Sequence, residues 1–474
     1  MLHIPILRAG TPYRSLDTAR LCHLGSGEPV ALVSQANRGL VARDLASSAE
    51  NQRALADLSA AQLLGICGEA ARLFMEADLP VDEDAQGPED YVRQTSATTG
   101  LPETLCRGNM EKIHQVLSRM DAVLDGLTRG LHLGVLDGGW DLDHGRPLSY
   151  ICQTRALGVV LPSNSPGVHS LWAPSIALKV PVMLKPGREE PWTPLRLARA
   201  FMAAGCPPEA FGYYPTDYAG ASEILLRCGR SMLFGGDATV ESWAGDPRVQ
   251  IHGPGRSKII FGADEAESWE DHLDLMVASV AENGGRSCIN ASGIWVPRHG
   301  LEIATALAQR LARIEALPLD HPQARVAAFA RPEVAQRLTE LIDARLEMGG
   351  AEDLTARFRS GDRIVEREGC TFLLPTVLWC EDGEHPLANA EFLFPFVSVV
   401  QVPQEQILKR IGPTLVATAI TGNRELIVEL LSCAQIERLN LGPIGTNRVS
   451  WDQPHEGNLF EFLYRQRALQ ALGS

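Results

Sequence analysis

Apolar residues recur at helical spacing from about residue 49 to 77 (Leu55, Leu58, Leu63, Leu64, Ile66, Ala70, Leu73, Phe74). The pattern returns from 110 to 128, through Ile113, Val116, Leu117, Met120, Val123 and Leu124. The first stretch is predicted as one or two amphipathic helices, and the second repeats the pattern. Gly130, Gly134, Gly138 and Gly139 then break the chain, and residues 147–157 read as a strand.

From there the texture changes to short apolar runs alternating with helical segments. Strands are predicted at 158–162, 180–184, 231–234 and 258–261, with helices at 168–177, 194–204 and 237–244 between them. A long helix over 268–282 leads to a further strand at 294–297, helices at 300–316 and 331–348, and strands near 371–380 and 396–402. Such alternation predicts mostly parallel sheets with helices on both faces, which bind ligands at the carboxyl ends of their strands. The glycine and polar clusters of this chain fall at those ends.

Composition narrows the class of protein. At 474 residues the chain is long enough for two or three domains. A net charge of −15 and a pI near 5.3, with arginines scattered among acids, give no basic stripe for nucleic acid. No run reaches the roughly 18 apolar residues of a membrane span. The apolar patch at Met1–Gly10 lacks a cleavage signature. The ten cysteines are dispersed and form no CxxC pair, which argues against a zinc ribbon or a redox dithiol and points to a reducing cytoplasm. On the same ground the sequon Asn290-Ala291-Ser292 is read as chance.

Cys288 stands out among the ten. It follows a long helix in the glycine-rich loop Asn283-Gly-Gly-Arg-Ser-Cys288, where little bulk crowds a nucleophilic thiolate. A lone cysteine is more often an inert small hydrophobe, so its partners matter. Asn164, held between Pro162 and Pro166 at a strand end, offers an amide to a developing oxyanion, although the same residues also suit a plain turn. Lys185-Pro186 ends the next strand. Gly235-Gly236-Asp237 opens a helix, where free N–H groups suit a pyrophosphate.

In this order the segments resemble those of aldehyde dehydrogenases, over about 150–440. Leu161–Pro166 resembles the PWNxP segment, Val182–Pro186 resembles VxLKP, and Phe234–Asp237 resembles FTGS. Asn283–Cys288 resembles the NxGQxC nucleophile loop and Asn389–Pro395 the EEIFGP segment. The resemblance implies an α/β fold with a Rossmann-like cofactor domain, an α/β catalytic domain and a small β oligomerisation element. The corresponding boundaries are 1–130 (N-terminal helical part of the cofactor domain), 131–157 (oligomerisation hairpin), 158–265 (Rossmann-like domain), 266–440 (catalytic domain) and 441–474 (tail, whose apolar run 459–464 suits a subunit contact or inward packing equally). It implies that Cys288 carries the thiohemiacetal and thioester, and that Asn164 and the Cys288 N–H form the oxyanion hole. It also implies that Lys185 touches the adenosine ribose, Glu391 holds the nicotinamide ribose, and the coenzyme lies along Pro162, Gly235, Gly236, Asp237, Val240, Gly253 and Phe394.

Two departures shape the expected chemistry. Hydrolytic members carry an ELGGK segment whose glutamate activates water, whereas Gln250–Ile260 contains no glutamate. Gly253-Pro254-Gly255 instead resembles the GxGN segment of the CoA-acylating members. Without a base for water an acyl-enzyme lives longer, and a thiol needs less help to attack it. The expected activity is therefore NAD(P)H-dependent reduction of an acyl thioester, on CoA or a phosphopantetheine of an acyl-carrier protein, to an aldehyde, or the reverse. The alternative is a hydrolytic enzyme releasing a free acid, with His252 the nearest candidate base. A glutamyl-phosphate reductase and an inactive scaffold of the same fold also remain open. Second, Arg188 stands where the family often has a glutamate that binds the 2′-hydroxyl, and its charge favours NADPH over NADH. No metal site is expected; a homodimer or homotetramer is.

Overall fold

The computed structural model describes residues 1–470 and contains two seven-stranded sheets, each covered by helices. The first runs in the order Val249–His252, Arg230–Phe234, Leu157–Val160, Val182–Lys185, Phe211–Tyr213, Ile6–Arg8, Thr11–Tyr13. Its first five strands are parallel and its last two antiparallel. Leu157–Val160 is buried at every position, as befits a strand covered on both faces. The strand that follows it in the chain pairs on one side and Arg230–Phe234 on the other. The strand order thus reverses here, which opens a crevice at the carboxyl ends.

The second sheet runs Ala351–Asp353, Thr376–Cys380, Phe396–Gln401, Ala291–Val296, Ser257–Phe261, Thr414–Ile420, Ile436–Leu441. All neighbours are parallel except the first pair. The 158–265 boundary expected from the alternation is corrected here. Ser257–Phe261 belongs to the second sheet, so the chain crosses between sheets at Gly253-Pro254-Gly255. Strand–helix alternation alone does not say which sheet a strand joins.

The N-terminal region also departs from the helical expectation. Leu2–Ile4, Thr18–Cys22 and Pro29–Ser34 form a three-stranded sheet, and Ile6–Arg8 extends the first large sheet, so the apolar N-terminal patch is core. The stretch 49–77 is helical as expected and forms two helices, Ser48–Ala56 and Ala60–Glu76, separated at Ser59, which forms a capping box with Gln62. The stretch 110–128 is part of two helices, Glu103–Ser118 and Met120–Thr128, hinged at Arg119.

The hairpin Trp140–Asp143 and Arg146–Cys152 pairs with the tail strand Tyr464–Arg467. Of the two roles open to the apolar tail run, inward packing is the one seen for Leu459, Phe460 and Leu463, which are buried in the core of the first sheet. That anchoring fixes the preceding loop, 451–458, over the crevice. No helix among the described residues is long and apolar enough to cross a membrane. Asn290 is buried and donates to the carbonyls of Ser279 and Glu282, so the sequon is structural.

Candidate active site

The helix Leu273–Ala281 ends in a tight turn where Asn283, Gly284 and Gly285 all have positive φ. Gly285 is required for space as well. A Cβ there would lie 2.4 Å from the carbonyl carbon of Phe394, so the 394–395 backbone closes directly on the loop. Asn283 ties the turn to the first sheet, donating to Ser165 Oγ at 3.0 Å and accepting from Asn109 Nδ2 at 2.8 Å. Cys288 is thereby held where the two sheets meet. Gly255 of the crossing passes so close that a Cβ would come within 1.9 Å of the Cys288 carbonyl oxygen.

Cys288 lies on the wall of a cavity of about 720 Å³. The first-sheet side of that wall brings together Pro162, Asn164, Gly235, Gly236, Asp237 and Gly253. Opposite stand Glu391, Phe392 and Leu393. The Asn164 amide donates to the Arg286 carbonyl at 2.7 Å and keeps its second N–H. Glu391 accepts from the backbone N–H groups of Gly255 (3.1 Å) and Arg256, and burial pushes its carboxyl up to about 7. Asp237 pairs with Arg256 at 2.7 Å.

Four expected residues do not reach the wall. Val240 packs behind Gly253. Phe394 is buried in the second-sheet core against Phe392 and Phe396, while Phe392 and Leu393 take the wall instead. Lys185 ends its strand outside the cavity wall, with burial lowering the pKa of its ammonium. Arg188 is exposed and also absent from the wall, where its neighbour Glu189 stands. On this loop the cavity wall therefore carries an acidic side chain rather than the Arg188 guanidinium.

The thiol's nearest side-chain partner comes from a segment that carries no family motif. Cys288 Sγ donates to Glu456 Oε1 at 2.9 Å, and His252 Nδ1 bonds the other oxygen, Oε2. Burial and the Glu456 charge hold the thiol well above its usual pKa. Burial pushes the Glu456 carboxyl upward, but His252, His455 and the thiol outweigh it and bring it to about 2. Both shifts favour the proton on sulfur and the charge on the Glu456 carboxylate. His455, also on the wall, is lowered to about 4 by burial and is neutral. Lys112, from the helix Glu103–Ser118, completes this end of the cavity.

Comparison with known proteins fits this arrangement. The aldehyde dehydrogenase family model matches residues 16–412, most of the chain. The chain belongs to the aldehyde dehydrogenase family. Two curated relatives are each 24% identical: 2-aminomuconic 6-semialdehyde dehydrogenase from a Pseudomonas species, over 61% of this chain and 60% of that protein, and 5-carboxymethyl-2-hydroxymuconate semialdehyde dehydrogenase from Escherichia coli, over 52% and 54%. The chain thus spans between half and two thirds of the curated relatives it matches. An aldehyde dehydrogenase structure from Pseudomonas aeruginosa superposes with a TM-score of 0.80 at 17% identity, covering 99% of this chain and 96% of that one, and shares the fold.

An aldehyde dehydrogenase uses a nicotinamide coenzyme, and the crevice suits one. A Cβ at Gly236 would meet nothing within 4 Å, so bare backbone faces open space at the switch point. Among the described residues no cluster of metal-ligating side chains exists. Sequence reasoning missed Glu456, His455 and Lys112. The run Pro454-His-Glu-Gly457 was visible, but nothing in it said which loop it would approach.

Proposed function

We propose that this aldehyde dehydrogenase oxidises an aldehyde to the free carboxylic acid through a covalent acyl-enzyme on Cys288. The observation that carries the reading is the Glu456 carboxyl group, 2.9 Å from the nucleophilic sulfur inside the cavity. The missing glutamate of the 250–260 segment was the reason to expect a thiol acceptor, and with a carboxylate delivered from elsewhere that reason lapses. The names of both relatives also favour acid formation over thioester reduction. Asn164, with the Cys288 N–H, stabilises the oxyanion. Glu189, Gly235, Gly236 and Glu391 would hold the coenzyme, which supplies the hydride acceptor. The test is incubation with aldehyde and NAD⁺, with and without CoA. Acid formed without CoA supports the proposal, and turnover only with CoA overturns it.

We assign Glu189, which lines the cavity, to the ribose side, where an acidic group disfavours a 2′-phosphate. The expected result is a kcat/KM at least about 10-fold higher with NAD⁺ than with NADP⁺, since one favourable contact against one repulsive contact exceeds about 1.4 kcal/mol. Equal efficiencies would place Glu189 away from the ribose.

Lys112 suggests the substrate class. Its ammonium lines the cavity near Cys288, where burial lowers its pKa against the pull of Cys288, Glu282 and Glu456, and no carboxylate among the described residues lies within ion-pair distance of it. Both relatives are named for semialdehydes, and the semialdehyde of a diacid keeps one carboxylate. We assign the Lys112 end of the cavity to that carboxylate. Lys112→Met keeps the stem and removes the charge. It is expected to raise KM for succinic semialdehyde by roughly 10- to 100-fold, the range of a charge-assisted hydrogen bond, with little effect on butyraldehyde. Equal effects on both aldehydes would refute a charge-reading role.

A further inference from the structure

Glu456 sits 168 residues beyond Cys288 and 204 beyond His252, so the contact is made by the fold alone. The strand Val249–His252 prepares it. Alternation along a strand puts Gln250 and His252 on the same face. Gln250 Nε2 donates to the Glu456 backbone carbonyl, while His252 Nδ1 donates to the Glu456 carboxylate. The His252 ring lies flat on Phe234, with centroids 4.3 Å apart and planes 12° from parallel. Gly457, with φ of +76°, turns the chain away directly afterwards, and a Cβ there would meet Gln250 Nε2 at 2.5 Å. The Glu456 side chain is 7% exposed and that of His252 is 2% exposed. Burying an ionised carboxylate is costly unless it is paired, and here every partner also serves to aim it at sulfur.

We propose that Glu456, delivered by the C-terminal tail and oriented by His252, is the general base that discharges the acyl-enzyme on Cys288. This rests on the acid-forming reading above. In the free enzyme Oε1 accepts the thiol proton's hydrogen bond. Once sulfur is acylated that oxygen has lost its donor and becomes the nearest acceptor for a water beside the acyl carbon. The water oxygen bonds to that carbon as its proton passes to Oε1. The tetrahedral adduct then collapses, the C–S bond breaks with its electron pair on sulfur, and Glu456 returns the proton to Sγ. Thioester and water give acid and thiol, and no oxidant or reductant is consumed. Glu456 is the catalytic residue here, and His252 is a positioning residue that keeps Oε1 on the sulfur side.

p-Nitrophenyl acetate tests the step apart from coenzyme and aldehyde, because it acetylates the cysteine directly. Decay of the acetyl adduct, followed by intact-protein mass, is expected to slow by about 100-fold or more in Glu456→Gln, as loss of general-base catalysis implies. Acetylation itself should persist, since removing the Glu456 charge favours the thiolate. Hydroxylamine, which needs no base, should restore release. His252→Gln should slow decay less while leaving acetylation intact, and a purely structural role would lower both together. Decay of the Glu456→Gln adduct at the wild-type rate overturns the assignment, as does acetylation lost along with decay. Failure of the acid-forming reading would show separately, as wild-type enzyme that clears its acetyl group yet makes no acid from aldehyde and NAD⁺ without CoA.

Discussion

Cys288→Ala should abolish aldehyde oxidation, with kcat falling by at least about 10⁴-fold, the scale seen when a covalent nucleophile is removed. Among the described residues that line the cavity, Cys288 carries the thiol that would form both the thiohemiacetal and the thioester. Its loop is fixed independently of the sulfur, by Asn283, by the close approach at Gly285 and by the bond from Ser257 Oγ to the Cys288 carbonyl at 2.8 Å. The substitution should therefore leave folding almost unchanged, within about 1 kcal/mol. Glu456 keeps its bond to His252 when the thiol is gone. Steady-state NADH formation and a thermal unfolding curve measure the two halves of this expectation. Cys288→Ser should fare little better, because a hydroxyl beside an ionised carboxylate is a far weaker nucleophile than a thiol at neutral pH. Residual activity above about 1% of wild type would mean that the acyl group is carried elsewhere, since the nucleophile effect is several orders of magnitude.

What could be read from the chain beforehand follows a physical division. Asn164, Gly235, Gly236, Glu391 and Cys288 come together because each sits at the carboxyl end of a strand or on a loop facing those ends, and parallel sheets gather such ends on one side. Local texture reports position along a strand, and that sufficed for them. It does not report which of two sheets a strand joins, and Ser257–Phe261, which continues the first sheet's alternation along the chain, pairs in the second. Nor does it orient side chains within the run Phe392-Leu-Phe394, where a one-residue difference exchanges wall for core. Arg188 and Glu189 are adjacent with opposite charge, and only the loop's path decides which one faces the crevice. Glu456 was the least legible of all. Its role depends on the tail helix Leu459–Leu463 docking on the first sheet, a contact between distant segments that leaves no local periodicity at residue 456.

Arg286→Met is expected to be the most destabilising substitution near the site, by about 3–5 kcal/mol, as befits a buried charge with several partners. The guanidinium is fully enclosed, and burial pushes it down to about 10. It donates to the carbonyls of Thr99 (3.4 Å) and Ala328 and lies 5.3 Å from the Phe329 ring centre. Among the described residues no carboxylate pairs with it, so carbonyl dipoles and the ring face hold the charge. Methionine fills most of the same volume but strips the two carbonyls of donors, each costing about 1–3 kcal/mol when left unsatisfied. The effect should reach the chemistry too, because the Arg286 carbonyl anchors the Asn164 amide across the sheet boundary. The apparent unfolding midpoint should fall by roughly 5 °C or more, and kcat should fall further than KM rises. Arg286 also lines the cavity, which makes a rival role concrete: pairing with a substrate carboxylate. The two separate cleanly. A strut lost to methionine lowers the midpoint and impairs succinic semialdehyde and butyraldehyde alike. A substrate-binding arginine would leave the midpoint in place and raise KM for the acidic aldehyde alone, and that outcome would move the carboxylate site from Lys112 to Arg286.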